Sequence, residues 1–359
     1  MADAISGFDI YAPVFRVKLA NETLPIDTFT SVDLDENLES PAMFTLSLNE
    51  TIDIDKQIFK WLDDKRITPG NEVVISFGYA STPGKQALIR GRIKALSPGF
   101  LSTGIPTLSI EGYDLSHDLQ KTEVEFSDTN VTYSKVVKDI ARNNNLDSGG
   151  IEPTNIPHPK VERRKNEKDY SFVKRLADEI GFEFFVRDKT LYFRAPKDDK
   201  PEEVTFEFRF RQNFISFNPR MTTATLVNEV RVTAWSDKDK EGISEIASIS
   251  DIKSSVGIPD FDRIVEQSQG QKVKVRMEGR VVRSREEAKN LAIAELKRRN
   301  NGFIQGTLEC AGNPQLRPGM TVKIEKISIR FSGVYYITRA RHSIGEGGYK
   351  TTLDVRRSM

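Results

Sequence analysis

The chain has 359 residues, enough for two or three domains that each bury a core of their own. Lys and Arg number 53 against 52 Asp and Glu, and this formal net charge of +1 excludes any global attraction to nucleic acid. A single cysteine, Cys310, excludes an internal disulfide framework and fits folding in a reducing compartment.

The N-terminus, Met1-Ala-Asp-Ala-Ile-Ser-Gly-Phe-Asp-Ile10, has neither the basic start nor the apolar stretch of a signal peptide. No run of about 18 apolar residues follows. The expectation is a protein made in the cytoplasm, with no membrane insertion.

Residues 8–118 read mainly as strands. Val14-Phe-Arg-Val-Lys-Leu19, Phe44-Thr-Leu-Ser-Leu48, Val73-Val-Ile-Ser-Phe77 and Thr107-Leu-Ser-Ile110 alternate apolar and polar residues at the period of a half-buried strand. Turns are marked by Ser40-Pro41, Pro69-Gly70, Pro83-Gly84 and Pro98-Gly99. Within this region, Ile58, Phe59 and Leu62 predict a short helix over Asp55–Asp64.

Residues 119–195 change character. Lys135–Arg142 is an amphipathic helix ending in Asn143-Asn-Asn145, and residues 149–165, with three prolines, read as an exposed connection. A second helix begins near Asp169 as N-cap, lines up Val173, Leu176, Ala177 and Ile180, and stops at Gly181 in a left-handed cap. A hairpin follows, Phe182–Val186 and Leu191–Phe193.

Residues 196–359 return to strands: Val204–Phe210, Glu229–Trp235 and Lys272–Met277. The stretch 236–270 is polar and low in aromatics and reads as a surface excursion. A helix over 284–300 carries a capping box, Ser284 with Glu287. Its inner face is Ala288, Leu291, Ala292 and Leu296, and Lys297-Arg-Arg299 sits where the helix dipole favours cations.

One strand pattern occurs twice. Ile67-Thr-Pro-Gly-Asn-Glu-Val-Val-Ile75 leads to Gly91-Arg-Ile-Lys-Ala-Leu96 and Thr107–Asp114. Leu316-Arg-Pro-Gly-Met-Thr-Val-Lys-Ile324 leads to Gly333-Val-Tyr-Tyr-Ile-Thr338 and Thr351–Val355. The repetition points to a duplicated β unit, so a ring of n such chains would present twice n similar faces.

Charge is unevenly spread. Residues 1–64 hold thirteen acids and four bases, whereas 271–300 hold ten bases and four acids. Two readings stay open: complementary patches meeting between neighbouring copies, or two solvated faces.

No catalytic, cofactor-binding or metal site is read. His117, His158 and His342 lie apart, without zinc spacing, and each is assigned a structural or surface role. Cys310 sits in a strand pattern and reads as a small buried hydrophobe. Gly345-Glu-Gly-Gly-Tyr-Lys-Thr-Thr352 superficially matches a phosphate loop, but Tyr349 precedes Lys350 and a strand follows, so a hairpin turn is the better reading. There is no G-x-S-x-G elbow, and the acid clusters, such as Asp33–Glu36 and Asp198-Asp199, fall in turn-like contexts. Aromatics do not interleave with bases as in RNA-stacking sheets. A non-enzymatic protein without cofactors is expected.

The run Glu167-Lys-Asp-Tyr-Ser-Phe-Val-Lys-Arg-Leu-Ala-Asp-Glu-Ile-Gly-Phe-Glu-Phe-Phe185 resembles the hallmark segment of the phage late control D family, which includes the base region of type VI secretion spike proteins. Arg283–Ala288, Gly306–Cys310, Gly312–Gly319, Phe331–Thr338 and Gly348–Thr352 fit the same family, as does Ser40–Leu48. The resemblance implies a mainly β, α+β chain: a first tube-type β-barrel domain over 1–118, a helix-hairpin domain over 119–195 and a second barrel over 196–359. It also implies a structural baseplate hub of a contractile phage tail, or of a bacteriocin or other tail-like injection particle, assembled in the bacterial cytoplasm. Three copies would form a ring that adapts a hexameric tail tube protein to a trimeric central spike protein, among other baseplate components. The chain stops after the last barrel strand, so the spike is expected to be a separate chain. The alternatives are a tail-associated cell-wall hydrolase, or a spike or effector-delivery module.

Overall fold

The computed structural model describes residues 13–79, 88–121, 125–198, 203–224, 226–236, 241–256, 263–264, 267, 271–281 and 285–357. The chain is mainly β with a few helices. It divides into two compact units. The first comprises residues 1–195, 309–318 and 339–353, and the second comprises 196–308, 319–338 and 354–359.

The first unit is built on antiparallel pairs. Arg339–Ile344 pairs with the Phe29–Asn37 strand, which pairs with Met43–Asn49. Next come Thr107–Asp114, Ile89–Gly99, Glu72–Tyr79 and Pro13–Leu19. The alternation read from the sequence is obeyed: Val32, Leu34, Phe44, Leu46, Val73, Ile75, Leu108 and Ile110 all point into one apolar core. Burying each such side chain is worth about 1.5–3 kcal/mol.

A second core in the same unit gathers the Tyr133–Asn143 and Asp169–Ile180 helices against the Glu183–Arg187 and Thr190–Arg194 hairpin. Thr132 caps the first helix through its side chain. Gly181 ends the second at φ +71°, the left-handed cap its position predicts. Asp169 is not the N-cap, however. Lys168 holds that place, and the Asp169 carboxylate instead accepts from Asn144 Nδ2 at 3.0 Å and from Arg163.

Two further expectations fail in this unit. No helix forms over 55–64. Residues 52–53 and 58–59 make a small hairpin, and the buried Glu50 carboxylate accepts from the N–H groups of Trp61 and Leu62 at 2.9 and 2.8 Å. Those donors are thereby bound to a side chain rather than to the carbonyls of a helix. Residues 149–165 are not a plain exposed connection either. His158–Glu162 pairs with Ser127–Val131, and Asp147–Ile151 runs parallel to Thr190–Arg194. Ile151 and Val161 are buried, which supplies the driving force despite the prolines.

In the second unit, Val204–Arg209 runs parallel to Thr321–Glu325, which is antiparallel to the start of Gly333–Gly345. A separate sheet places Val227–Ser236 between Glu241–Ser248 and Gln271–Val281. The Arg285–Asn300 helix packs on this sheet with Ala288, Ala292 and Leu296 buried. Asn300 locks it in place, its amide exchanging two 2.9 Å hydrogen bonds with the backbone of Val227. The predicted Ser284 cap lies outside the described residues. The stretch 236–270 contains more than a surface excursion: besides the 241–248 strand it forms the Ile249–Val256 helix, and Ile243, Ala247, Ile249 and Ile252 are buried.

Candidate interaction surface

The two Pro-Gly units match at the level of individual hydrogen bonds. Gly70 (φ +100°) donates to Ile93 O at 2.8 Å, and Ile93 N–H returns a bond to Asn71 O at 3.0 Å. Gly319 (φ +80°) donates to Ile337 O at 2.8 Å, and Ile337 N–H returns a bond to Met320 O at 2.9 Å. A positive φ costs glycine little, which is why the turn carries it in both copies. After each turn the strand buries the same two positions, Val73 and Ile75 in one and Val322 and Ile324 in the other. Each strand then pairs antiparallel with the Gly-led strand that follows it, at Gly91 and at Gly333.

The residues weighed for chemistry take structural places. His117 stacks on Tyr113 and His158 on Tyr133, with centroids 4.7 and 3.8 Å apart. His342 is fully buried. Its Nε2 lies 3.1 Å from Leu316 O, an acceptor, so Nε2 carries the proton, while Nδ1 accepts from Tyr349 Oη at 2.9 Å. Burial holds this ring down to about 4, so it stays neutral near pH 7. Cys310 is buried too, its thiol pushed up to about 12 by desolvation. Residues 345–348 form a hairpin turn, with Gly348 at φ +84°.

Among the described residues, no three His, Cys, Asp or Glu side chains gather as they would around a metal ion. None of the described helices is long and apolar enough to cross a membrane. A cavity in the first unit beside Glu36, Asp114, Tyr170 and Arg187 has about 20 Å³, room for about one water molecule. A drug-sized substrate needs several hundred Å³.

Much of the N-terminal acidity is answered inside the first unit. Asp35 pairs with Arg339, Asp33 accepts from Ser343 Oγ at 2.5 Å, and Glu39 pairs with Lys174 at 2.8 Å. Glu36 faces Arg317, whose guanidinium also donates to Leu88 O at 2.6 Å. On the basic side, Arg298 and Arg299 pair with Glu295 one turn back on their own helix. Several of the charges that make the sequence asymmetric are thus paired within their own unit.

Among the described residues of the first unit, an exposed apolar group lies at the tip of the strand pair Ile89–Gly99 and Thr107–Asp114. Residues 97–107 contain no ionisable side chain, in a chain where 29% of residues are charged. Phe100, Leu101 and Ile105 are 61%, 64% and 60% exposed. The 50–60 hairpin lies alongside: Glu50 N–H donates to Pro106 O at 2.7 Å, and the Phe59 ring meets Phe100 edge-on with centroids 5.3 Å apart. Ile52, Ile54 and Ile58 extend the exposed apolar surface. Scattered exposed apolar residues are ordinary, but a contiguous set marks a contact surface. The run of uncharged residues around Phe100 is visible in the sequence, where Pro98-Gly99 marks it only as a turn.

The fold is similar to that of phage tail proteins. The 43 kDa tail protein of prophage MuSo2 from Shewanella oneidensis superposes with a TM-score of 0.72 at 14% identity, covering 97% of this chain and 99% of that one. A tail protein from Neisseria meningitidis MC58 gives 0.69 at 14% identity, covering 96% and 97%. An E. coli component of the type VI secretion system, itself described as structurally similar to T4 bacteriophage tail proteins, gives 0.59 at 13% identity, covering 94% and 76%. The resemblance read from residues 167–185 and the C-terminal third is borne out at the level of fold. No curated protein matches the sequence. The family described as the Alg8 N-terminal domain matches residues 15–346, and the chain belongs to that family, whose description names no activity.

Proposed function

We propose that this member of the Alg8 N-terminal domain family is a structural hub of a baseplate, in a contractile phage tail or a phage-tail-like injection particle. In this reading three copies form a ring that joins a hexameric tail tube to a trimeric central spike. Residues 1–118 and 196–359 supply two related tube-type barrel units per copy, and 119–195 form the domain between them. The observation that carries the proposal is the likeness in fold, over nearly the whole chain, to two tail proteins, one of them from a prophage. The repeated hydrogen-bond pattern at Gly70 and Gly319 supports it, because two similar units per chain give a threefold ring six similar faces. The role is non-enzymatic and calls on no cofactor.

Light scattering on the purified protein, alone and mixed with a candidate central spike protein, tests this reading. A species near three times the chain mass of 40.6 kDa is expected, either alone or once the spike is added. A stable dimer, or a hexamer that binds neither tube nor spike protein, contradicts it.

A further inference from the structure

The second unit carries an exposed apolar group of its own. Phe210, Ile215 and Ile329 are 46%, 61% and 79% exposed, on the loops after the Val204–Arg209 and Thr321–Glu325 strands. The two loops are tied together where Phe210 N–H donates to Glu325 O at 3.2 Å. Their charges are of opposite sign to those around the first unit's tip. Arg211 lies over the Phe210 ring at 5.4 Å, Lys326 and Arg330 are exposed, and the nearby Glu325 is already paired with Lys323 at 2.5 Å. The 50–64 segment, whose Phe59 ring meets Phe100, carries Asp53, Asp55 and Asp63 against Lys56 and Lys60, with Lys56 engaged by Asp53 at 3.2 Å.

We propose that the tip formed by Phe100, Leu101 and Ile105 docks onto the Phe210–Ile215–Ile329 face of a neighbouring copy of this chain. Each partner brings an apolar centre, and the rims carry opposite charge, which favours this pairing over two acidic tips meeting each other. The two faces are unlike, so the contact is heterologous. Every copy that uses its tip still offers its other face, so the contact does not end at a dimer and closes a ring when its rotation matches the threefold of the hub reading. This inference rests on the ring-forming hub reading and names the surfaces that reading leaves open.

The test uses the full chain, with the spike protein present if trimerisation requires it. Leu101→Glu and Ile329→Glu should each raise the protein concentration needed for half-assembly at least tenfold. Both sites are well exposed, so the melting temperature of the dilute monomer should stay within about a degree of wild type. Asp55→Lys should weaken assembly, and Lys326→Asp added to it should restore part of the loss. A Leu101→Cys, Ile329→Cys double variant should give covalent dimers and trimers on mild oxidation, beyond anything either single variant gives, because the native Cys310 is buried. A wild-type trimer that tolerates both glutamates and does not cross-link above the single variants would overturn the inference and leave the hub reading intact. A wild-type chain that stays monomeric with and without the spike would contradict both.

Discussion

Glu36 and Arg317, 281 residues apart in sequence, form a carboxylate–guanidinium pair in the interior of the first unit. Arg317 Nε donates to Glu36 Oε2 at 3.1 Å, and its Nη2 also reaches Leu88 O. The pair fixes the C-terminal segment 309–318 to strands from the beginning of the chain. Tyr79 Oη does the same by donating to Gly312 O at 2.6 Å.

Breaking one half of that pair leaves a poorly solvated charge. Arg317→Ala and Glu36→Ala should each cost about 3 kcal/mol, and the double variant should cost clearly less than their sum. Urea denaturation of the four proteins measures the coupling. Full additivity would show that the two groups do not act as a unit.

The repeated strand makes a sharper prediction about register. Val322 is fully buried, whereas the Lys323 side chain is 39% exposed beside Glu325. Val322→Asp should destabilise by about 3 kcal/mol or more, and Lys323→Gln by less than about 0.5 kcal/mol. Thermal shifts of equal size would mean that the strand is turned the other way.

Two buried groups in the first unit give opposite pH slopes. Burial pushes the Asp114 carboxyl up to about 7, although Ser116 Oγ donates to it at 2.5 Å. The folded state then holds the proton more tightly than the unfolded chain. Its cost is absent below pH 3.8 and grows until pH is about 7. Burial of His342 works the other way. The unfolded ring takes up a proton below its ordinary 6.5 while the folded ring resists down to about 4, so stability is lost as pH falls across that window. The two windows overlap, so the slopes largely offset each other in the wild type: urea midpoints from pH 4 to 7 should rise with pH in Asp114→Asn and fall with pH in His342→Gln. Unchanged slopes in both variants would contradict this account.

A non-enzymatic role predicts no clearing in a peptidoglycan zymogram. Reproducible clearing that a single Asp or Glu substitution abolishes would favour the cell-wall hydrolase alternative.

The elements whose signals are local were legible in the sequence. Strand alternation around Val73 and Val322, the Pro-Gly turns and the stop at Gly181 each depend on a few adjacent residues. The 55–64 segment misled because Ile58, Phe59 and Leu62 fit a helical spacing, whereas the decisive partner is the Glu50 carboxylate outside the window. The 241–252 region was hidden by its polar composition, since only every few residues, such as Ile243 and Ala247, reach the core. The grouping of 309–318 and 339–353 with the N-terminal strands could not be read from periodicity at all. It rests on contacts such as Glu36–Arg317 and Asp35–Arg339, made across the length of the chain. The Phe100 tip announced itself only as a stretch without charge.

The most direct test of the hub reading is the symmetry of the assembled particle. Electron microscopy of the protein bound to its spike, averaged without imposed symmetry and viewed down the axis, should show a threefold ring with six similar lobes. A twofold particle, or a ring with only three lobes, would contradict the reading.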